Sequence, residues 1–289
     1  MRDYAIVTDS ACDVWEELAQ TLDLTVIPLT VRLGEQEFPD KPGEGIRGAD
    51  FYAQLKRGVP VQTSAPNIDT FLCAFRALLE EGKDILYLGF SSALSTTCHN
   101  AVIAADELRT EYPDRKILTV DTLAASLGMT LLLELTVKEK RAGKTIEEAR
   151  DFAESMKSHI CHWFTMDDLG QLRRGGRLSA GKALAGTILH IKPILHTSAE
   201  GTLVPMGSIK GRKAALESLV AKLKDTAILP ETQTAYLVHS ICPQDAEYVA
   251  ARIREEAGVP NVRIGEIGPL IGAHTGLRTL GLFFVGQER

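Results

Sequence analysis

Residues 84–112 read DILYLGFSSALSTTCHNAVIAADELRTEY. An aliphatic and aromatic run ends at Gly89-Phe90, hydroxyls follow at Ser91, Ser92, Ser95, Thr96 and Thr97, and apolar side chains then recur at helical spacing. The same succession opens the chain in YAIVTDSACDVWEELAQTL (4–22) and returns in KILTVDTLAASLGMTLLLELTVKEKRAG (116–143). Short buried runs alternating with helices of this length predict βαβ units around a parallel sheet.

Outside these units the pattern changes. VQTSAPNIDTFLCAFRALLEEG (61–82) carries a hydroxyl cluster without a long strand before it, and Pro66 and Gly82 mark the ends of its helix. GEQEFPDKPGEGIRGADF (34–51) reads as a surface excursion between elements. A helix is expected over 145–160, opened by a capping box of Thr145 and Glu148. ILHTSAEGTLVPMG (194–207) reads as a hairpin turning at Glu200-Gly201, and the later strands mix hairpin and crossover signals. The expectation is an α/β protein of two domains: a mostly parallel α/β/α sheet in 1–160 and a mixed-sheet α/β domain in 161–289.

Composition bounds the rest. A chain of 289 residues with 45% hydrophobic and 24% charged side chains is globular, and two domains suit its length. A net charge of −6 without a basic block leaves no electrostatic footprint for nucleic acid. The five cysteines form no C-x-x-C pair and no metal-ligand spacing with histidine, which fits buried thiols in a reducing compartment. No apolar run approaches the ~20 residues of a membrane span, so a cytoplasmic protein with no integral membrane segment is expected.

In an open α/β sheet, ligands sit outside the carboxyl ends of the strands. Hydroxyls and aspartates gather at such ends at Thr8, Asp9 and Ser10, at Thr63 and Ser64, over 91–97 and over 121–126. One hydroxyl at a helix start is an ordinary N-cap, but five within seven positions exceed what one helix start uses. Neither G-x-G-x-x-G nor G-x-x-x-x-G-K-[ST] follows a strand, which argues against a phosphate cradle. GFSSA (89–93) approximates the G-x-S-x-G elbow of serine hydrolases, with His239 and His274 downstream. A neutral hydroxyl site for a carboxylate is the other reading, completed by His274 from a Gly-rich loop in the second half. A third is a small polar cleft for a sugar or small anion. Arg177 follows a glycine pair, and Arg212 stands at a helix start, where a cation opposes the dipole and suggests a partner.

In order along the chain, VTDSACDV (7–14), QTSAPN (62–67), SSALSTT (91–97), VDTLAASLG (120–128), LRRGGRLS (172–179), IKPIL (191–195), KGRKAAL (210–216) and IGAHTG (271–276) resemble the DegV family of bacterial fatty-acid-binding proteins. The resemblance implies two α/β domains with a fatty acid buried in the interdomain cleft. It also implies a separate ATP-dependent fatty acid kinase that forms the acyl phosphate, a carrier without catalytic residues of its own, no cofactor and no metal. Carried over by motif, Thr63, Ser64, Ser92, Ser95 and His274 bind the carboxylate, while Arg177 and Arg212 face the kinase or the phosphate. Three positions depart from the family pattern: Thr96 stands where the family has glycine, Cys98 where it has an aromatic residue, and Thr122 of VDT where it has serine.

Overall fold

The computed structural model describes residues 3–167, 169–178 and 190–287. In chain order the first half runs β1 (Tyr4–Asp9), α1 (Glu16–Thr21), β2 (Leu24–Ile27), β3 (Thr30–Leu33), β4 (Gln36–Pro39), α2 (Gly48–Lys56), β5 (Val61–Ser64), α3 (Ile68–Glu80), β6 (Asp84–Gly89), α4 (Thr97–Glu111), β7 (Ile117–Asp121), α5 (Ser126–Arg141) and α6 (Ile146–Met156). The second runs β8 (Ile160–Thr165), α7 (Gly170–Arg174), β9 (Ile191–Thr197), β10 (Leu203–Lys210), α8 (Arg212–Thr226), β11 (Thr234–His239), α9 (Pro243–Glu256), β12 (Asn261–Glu266), α10 (Pro269–Thr275) and β13 (Leu280–Val285).

The three repeated units build a parallel sheet in the order β2-β1-β6-β7. β1 and β6 are buried along their whole length, as continuous apolar strands covered on both faces must be. Alternate residues divide between the layers. Ala5, Val7, Ile85 and Tyr87 pack on Phe71, Phe75 and Ala101 of α3 and α4. Tyr4, Ile6, Leu86 and Leu88 belong to the core formed with α1, α5 and α6.

The second half contains a six-stranded mixed sheet, β10-β9-β8-β13-β11-β12, in which only β11 and β12 run parallel. The expected hairpin is β9–β10, with Gly201 at φ 79° in its turn. One face of this sheet packs on Leu219, Leu223, Val249 and Ile253 of α8 and α9. The other face, with Phe164, Leu195, Tyr236, Val238 and Phe283, joins the core of the first half. Helix α5 is buried nearly all round because it fills this junction, with β8, β11 and β13 among its neighbours.

Three local expectations change. Residues 34–51 are not a plain excursion: β4 lies within them, α2 begins in them, and β4-β3-β5 forms a small antiparallel sheet. The helix capped by Thr145 and Glu148 has both capping-box bonds but ends at Met156, because Ile160 begins a fully buried strand. His274 lies on α10 rather than in a loop. Pro269 at the first helical position and Gly276 at φ 74° beyond the last delimit that helix.

Candidate functional site

Between the halves lies a cavity of about 620 Å³ including its mouth. The six-stranded sheet supplies its floor through His162, Phe164, Val238, Gly281 and Phe283. Phe90, Leu94 and the start of α5 face them, and Ile271 and His274 of α10 close one end.

The lining contains hydroxyls and two imidazoles, those of His162 and His274, and the hydroxyls of Thr275, Thr279 and Ser126 are engaged elsewhere. Thr275 Oγ1 donates to the Ile271 carbonyl at 3.1 Å and Thr279 Oγ1 to the Thr275 carbonyl at 3.0 Å. Ser126 Oγ donates to Asp13, and His162 Nδ1 lies 2.8 Å from the Ile160 carbonyl oxygen. The walls therefore present methyl and ring surface. A space of this kind receives an aliphatic chain and offers little to a sugar.

Polarity is concentrated at one end. His274 Nε2 lies 2.9 Å from Thr63 Oγ1, joining α10 to β5. Arg177, exposed at the mouth, donates from Nε to the Leu94 carbonyl at 3.2 Å and from a terminal nitrogen to Gly175. Burial, with the Arg177 charge added, pushes His274 down to about 4, so the imidazole is neutral at physiological pH.

The glycine pair before Arg177 has a spatial reason. A Cβ on Gly175 would stand 2.4 Å from His274 Nδ1, so only glycine lets this turn lie against the ring. Gly176 at φ 67° then turns the chain toward the mouth.

The other hydroxyls separate. Ser95 is half-buried beside Leu94 and bonds Thr97 Oγ1 at 2.8 Å. Ser92 and Ser64 are exposed, and of the five expected carboxylate-binding residues only His274 is a lining residue of the cavity, Thr63 reaching it through that imidazole. Thr96 has φ −75°, which any residue adopts, so a side chain in place of glycine strains nothing there. Ser91 does not have the setting of a hydrolase nucleophile: it is fully buried and donates to the Gly201 carbonyl at 2.9 Å. Arg212 lies outside the cavity lining, with Asp245 3.0 Å from Nε as the countercharge the sequence left unseen.

One buried carboxylate holds the strand-end turns in place. Asp9 accepts Tyr87 Oη at 2.6 Å, the Phe90 amide at 2.9 Å and the Ala11 amide at 3.1 Å, and so fixes the turn that carries Phe90 into the cavity. Its bond from the Ala11 amide is that of an N-cap, and nothing in the sequence showed the other two, because Tyr87 and Phe90 lie on and just beyond a different strand.

The sequence model of the DegV family, described as uncharacterised proteins, matches residues 3–287. The chain belongs to the DegV family. A DegV domain-containing protein of Clostridium perfringens is 39% identical over 289 residues, covering 100% of this chain and 99% of its own. Among solved structures, a fatty-acid-binding DegV family protein from Thermus thermophilus superposes with a TM-score of 0.88 at 28% identity, covering 99% of this chain and 100% of its own. DegV of Bacillus subtilis, a fatty acid binding protein, gives 0.83 at 26% identity over 99% and 100%. The fold thus brings LRRGGR and IGAHTG, distant in the chain, to one cavity and sets Thr63 of QTSAPN against its lining residue His274.

Proposed function

We propose that this protein binds a long-chain fatty acid, with the acyl chain between the halves and the carboxylate at the Thr63–His274 end. It then presents the carboxylate to a separate ATP-dependent kinase in the cytoplasm. The observation that carries this reading is an apolar cavity with a single polar end, in a family whose members from Thermus thermophilus and Bacillus subtilis bind fatty acids.

Magnitudes divide the labour. Burying on the order of a dozen methylenes is worth roughly 0.8 kcal/mol each before ordering costs. Each hydrogen bond to the carboxylate nets about 1.5–3 kcal/mol. The tail supplies most of the affinity, and the hydroxyl and neutral imidazole set orientation. Without a fixed countercharge bonded to it, the carboxylate oxygen stays available for phosphoryl transfer. Arg177, exposed at the mouth, is the better placed of the two arginines to meet the kinase or its phosphate. Arg212 is proposed for the same surface, although Asp245 already neutralises it. On this reading the carrier needs no catalytic residue and no cofactor.

Native mass spectrometry of the purified protein tests the proposal. A co-purifying mass of a long-chain fatty acid is expected. Protein that carries no such mass and binds no added fatty acid overturns it.

A further inference from the structure

Asp13 occupies the junction of three strand-end loops and the second half. Its backbone is left-handed at φ 52°, and so is that of Ser126 at φ 54°. That conformation is uncommon for non-glycine residues, aspartate adopting it more readily than serine, and such positions cluster at functional sites. These two are bonded to each other: Ser126 Oγ donates to Asp13 Oδ2. The other oxygen, Oδ1, accepts the Gly268 backbone N–H at 2.9 Å.

These two partners belong to different elements around the ligand site. Ser126 is a wall residue of the cavity, whereas Gly268 directly precedes α10, whose far end holds His274 against Thr63. A Cβ on Gly268 would stand 2.9 Å from Asp13 Oδ1, so the close approach requires glycine. Tyr52 Oη adds a second tie by donating to the Ile267 carbonyl at 3.0 Å. Helix α10 is thus a piece of the second half held at its root by the first.

We propose that Asp13 is the positioning residue that couples the cavity wall to α10, setting that helix, and with it the His274 imidazole, according to the placement of the wall at Ser126. This rests on the fatty-acid reading above. An ionised carboxylate suits the task because two donors converge on its two oxygens; asparagine offers one acceptor and a conflicting amide donor. The grip also depends on charge, since hydrogen bonds to an ionised acceptor are roughly twice as strong as neutral ones.

Burial pushes the Asp13 carboxyl up to about 7, opposed by its bonds from Ser126 and Gly268, while Asp40 raises it further and Arg47 lowers it. The other ionisable groups facing this junction are Asp9 and Cys12 beside it, Asp40 and Arg47, Tyr52 of α2, Glu16 and Glu17, His239 of β11 and Glu266 of β12. Among the described residues only Asp13 bonds both Ser126 and Gly268. The variant Asp13→Asn therefore separates its titration from theirs.

The test follows release of cis-parinaric acid, an intrinsically fluorescent fatty acid, between about pH 6 and 8.5, together with the Gly268 amide proton shift of ligand-free protein. In the wild type, release is expected to slow and the Gly268 proton to move downfield as pH rises through about 7. Asp13→Asn is expected to release about tenfold faster at the upper end, the loss of one charged hydrogen bond, and to show neither step. A variant with the wild-type release profile, or a wild-type Gly268 shift flat with pH, overturns the proposal. Should Asp13→Asn fail to fold, Ser126→Ala keeps the carboxylate and cuts its tie to the wall. Hexadecane, which fills the tunnel without a head group, is then expected to move the His274 resonances of the wild type and not of Ser126→Ala; equal movement in both overturns the coupling. Wild type that binds no parinaric acid defeats the fatty-acid reading alone, because the ligand-free Gly268 titration still decides whether Asp13 grips α10.

Discussion

The Thr63 hydroxyl and the His274 imidazole meet at 2.9 Å across 211 positions of chain, and their contact joins the small antiparallel sheet of the first half to the last helix of the second. The two groups need opposite hydrogen-bonding roles toward each other, so the imidazole tautomer decides which of them is free to donate to a third atom. A carboxylate oxygen arriving at the mouth is such an atom.

Removing either partner should weaken the head group without emptying the tunnel. Thr63→Ala and His274→Ala are each expected to lower fatty-acid affinity by about 10- to 100-fold, the loss of one hydrogen bond to a charged group. Binding of a hydrocarbon of equal length should be nearly unchanged. Arg177→Ala is expected to retain the fatty acid and lose phosphorylation by the kinase. Titration calorimetry and a coupled kinase assay check the three variants.

Gly175→Ala tests the turn that shapes this end. The backbone there has φ −75°, so alanine costs nothing locally, but its Cβ would stand 2.4 Å from His274 Nδ1. The imidazole must move. Affinity is expected to fall as in His274→Ala while the melting temperature shifts by only a few degrees, roughly 1 kcal/mol for a chain of this size. Calorimetry and thermal melts of the same sample distinguish this from general unfolding.

His274 should remain neutral well below the ordinary range. Its folded value near 4 lies under the unfolded value near 6.5, so the group binds fewer protons folded than unfolded. It therefore contributes stability that is present above pH 6.5 and lost as pH falls through about 4. Burial is the larger cause and the Arg177 charge the smaller, so Arg177→Gln is expected to raise the value without restoring it to 6.5. Nitrogen chemical shifts of the imidazole, followed against pH in both proteins, measure this.

The parts legible in the sequence were those set by local periodicity. The three strand–hydroxyl–helix units gave the parallel sheet, and Thr145 with Glu148 gave a helix start, because each depends on residues a few positions apart. The short strands β3, β4 and β5 escaped, since four-residue runs broken by Gly, Pro and charge carry no period of their own and are stabilised by pairing with each other. At the candidate site the motifs singled out Thr63 and His274, which the fold brings to 2.9 Å of each other. Asp13, Gly175 and Gly281 were not, because what distinguishes them is a neighbour brought close by the fold.

Asp9 offers the sharpest test of the strand-end turns, and the sign of its pH dependence is the informative part. Burial raises its carboxyl from 3.8 to about 6, although Tyr87 and the amides of Phe90 and Ala11 pull the other way. The folded protein therefore binds more protons than the unfolded chain between those values. Asp9 stabilises the fold fully below about pH 3.8, and this contribution is lost as pH rises through about 6, the reverse of an exposed, salt-bridged carboxylate. Asp9→Asn removes the titration and leaves one acceptor oxygen for three donors, at a cost of about 1–3 kcal/mol for the unsatisfied group. The destabilisation should be larger at pH 5 than at pH 8, because only the wild type gains from protonation at the lower value. Taking the difference between the two proteins cancels the opposing contribution of His274, which both retain. Urea melts of each at the two pH values check the prediction, and a difference that is equal at both, or larger at pH 8, contradicts it.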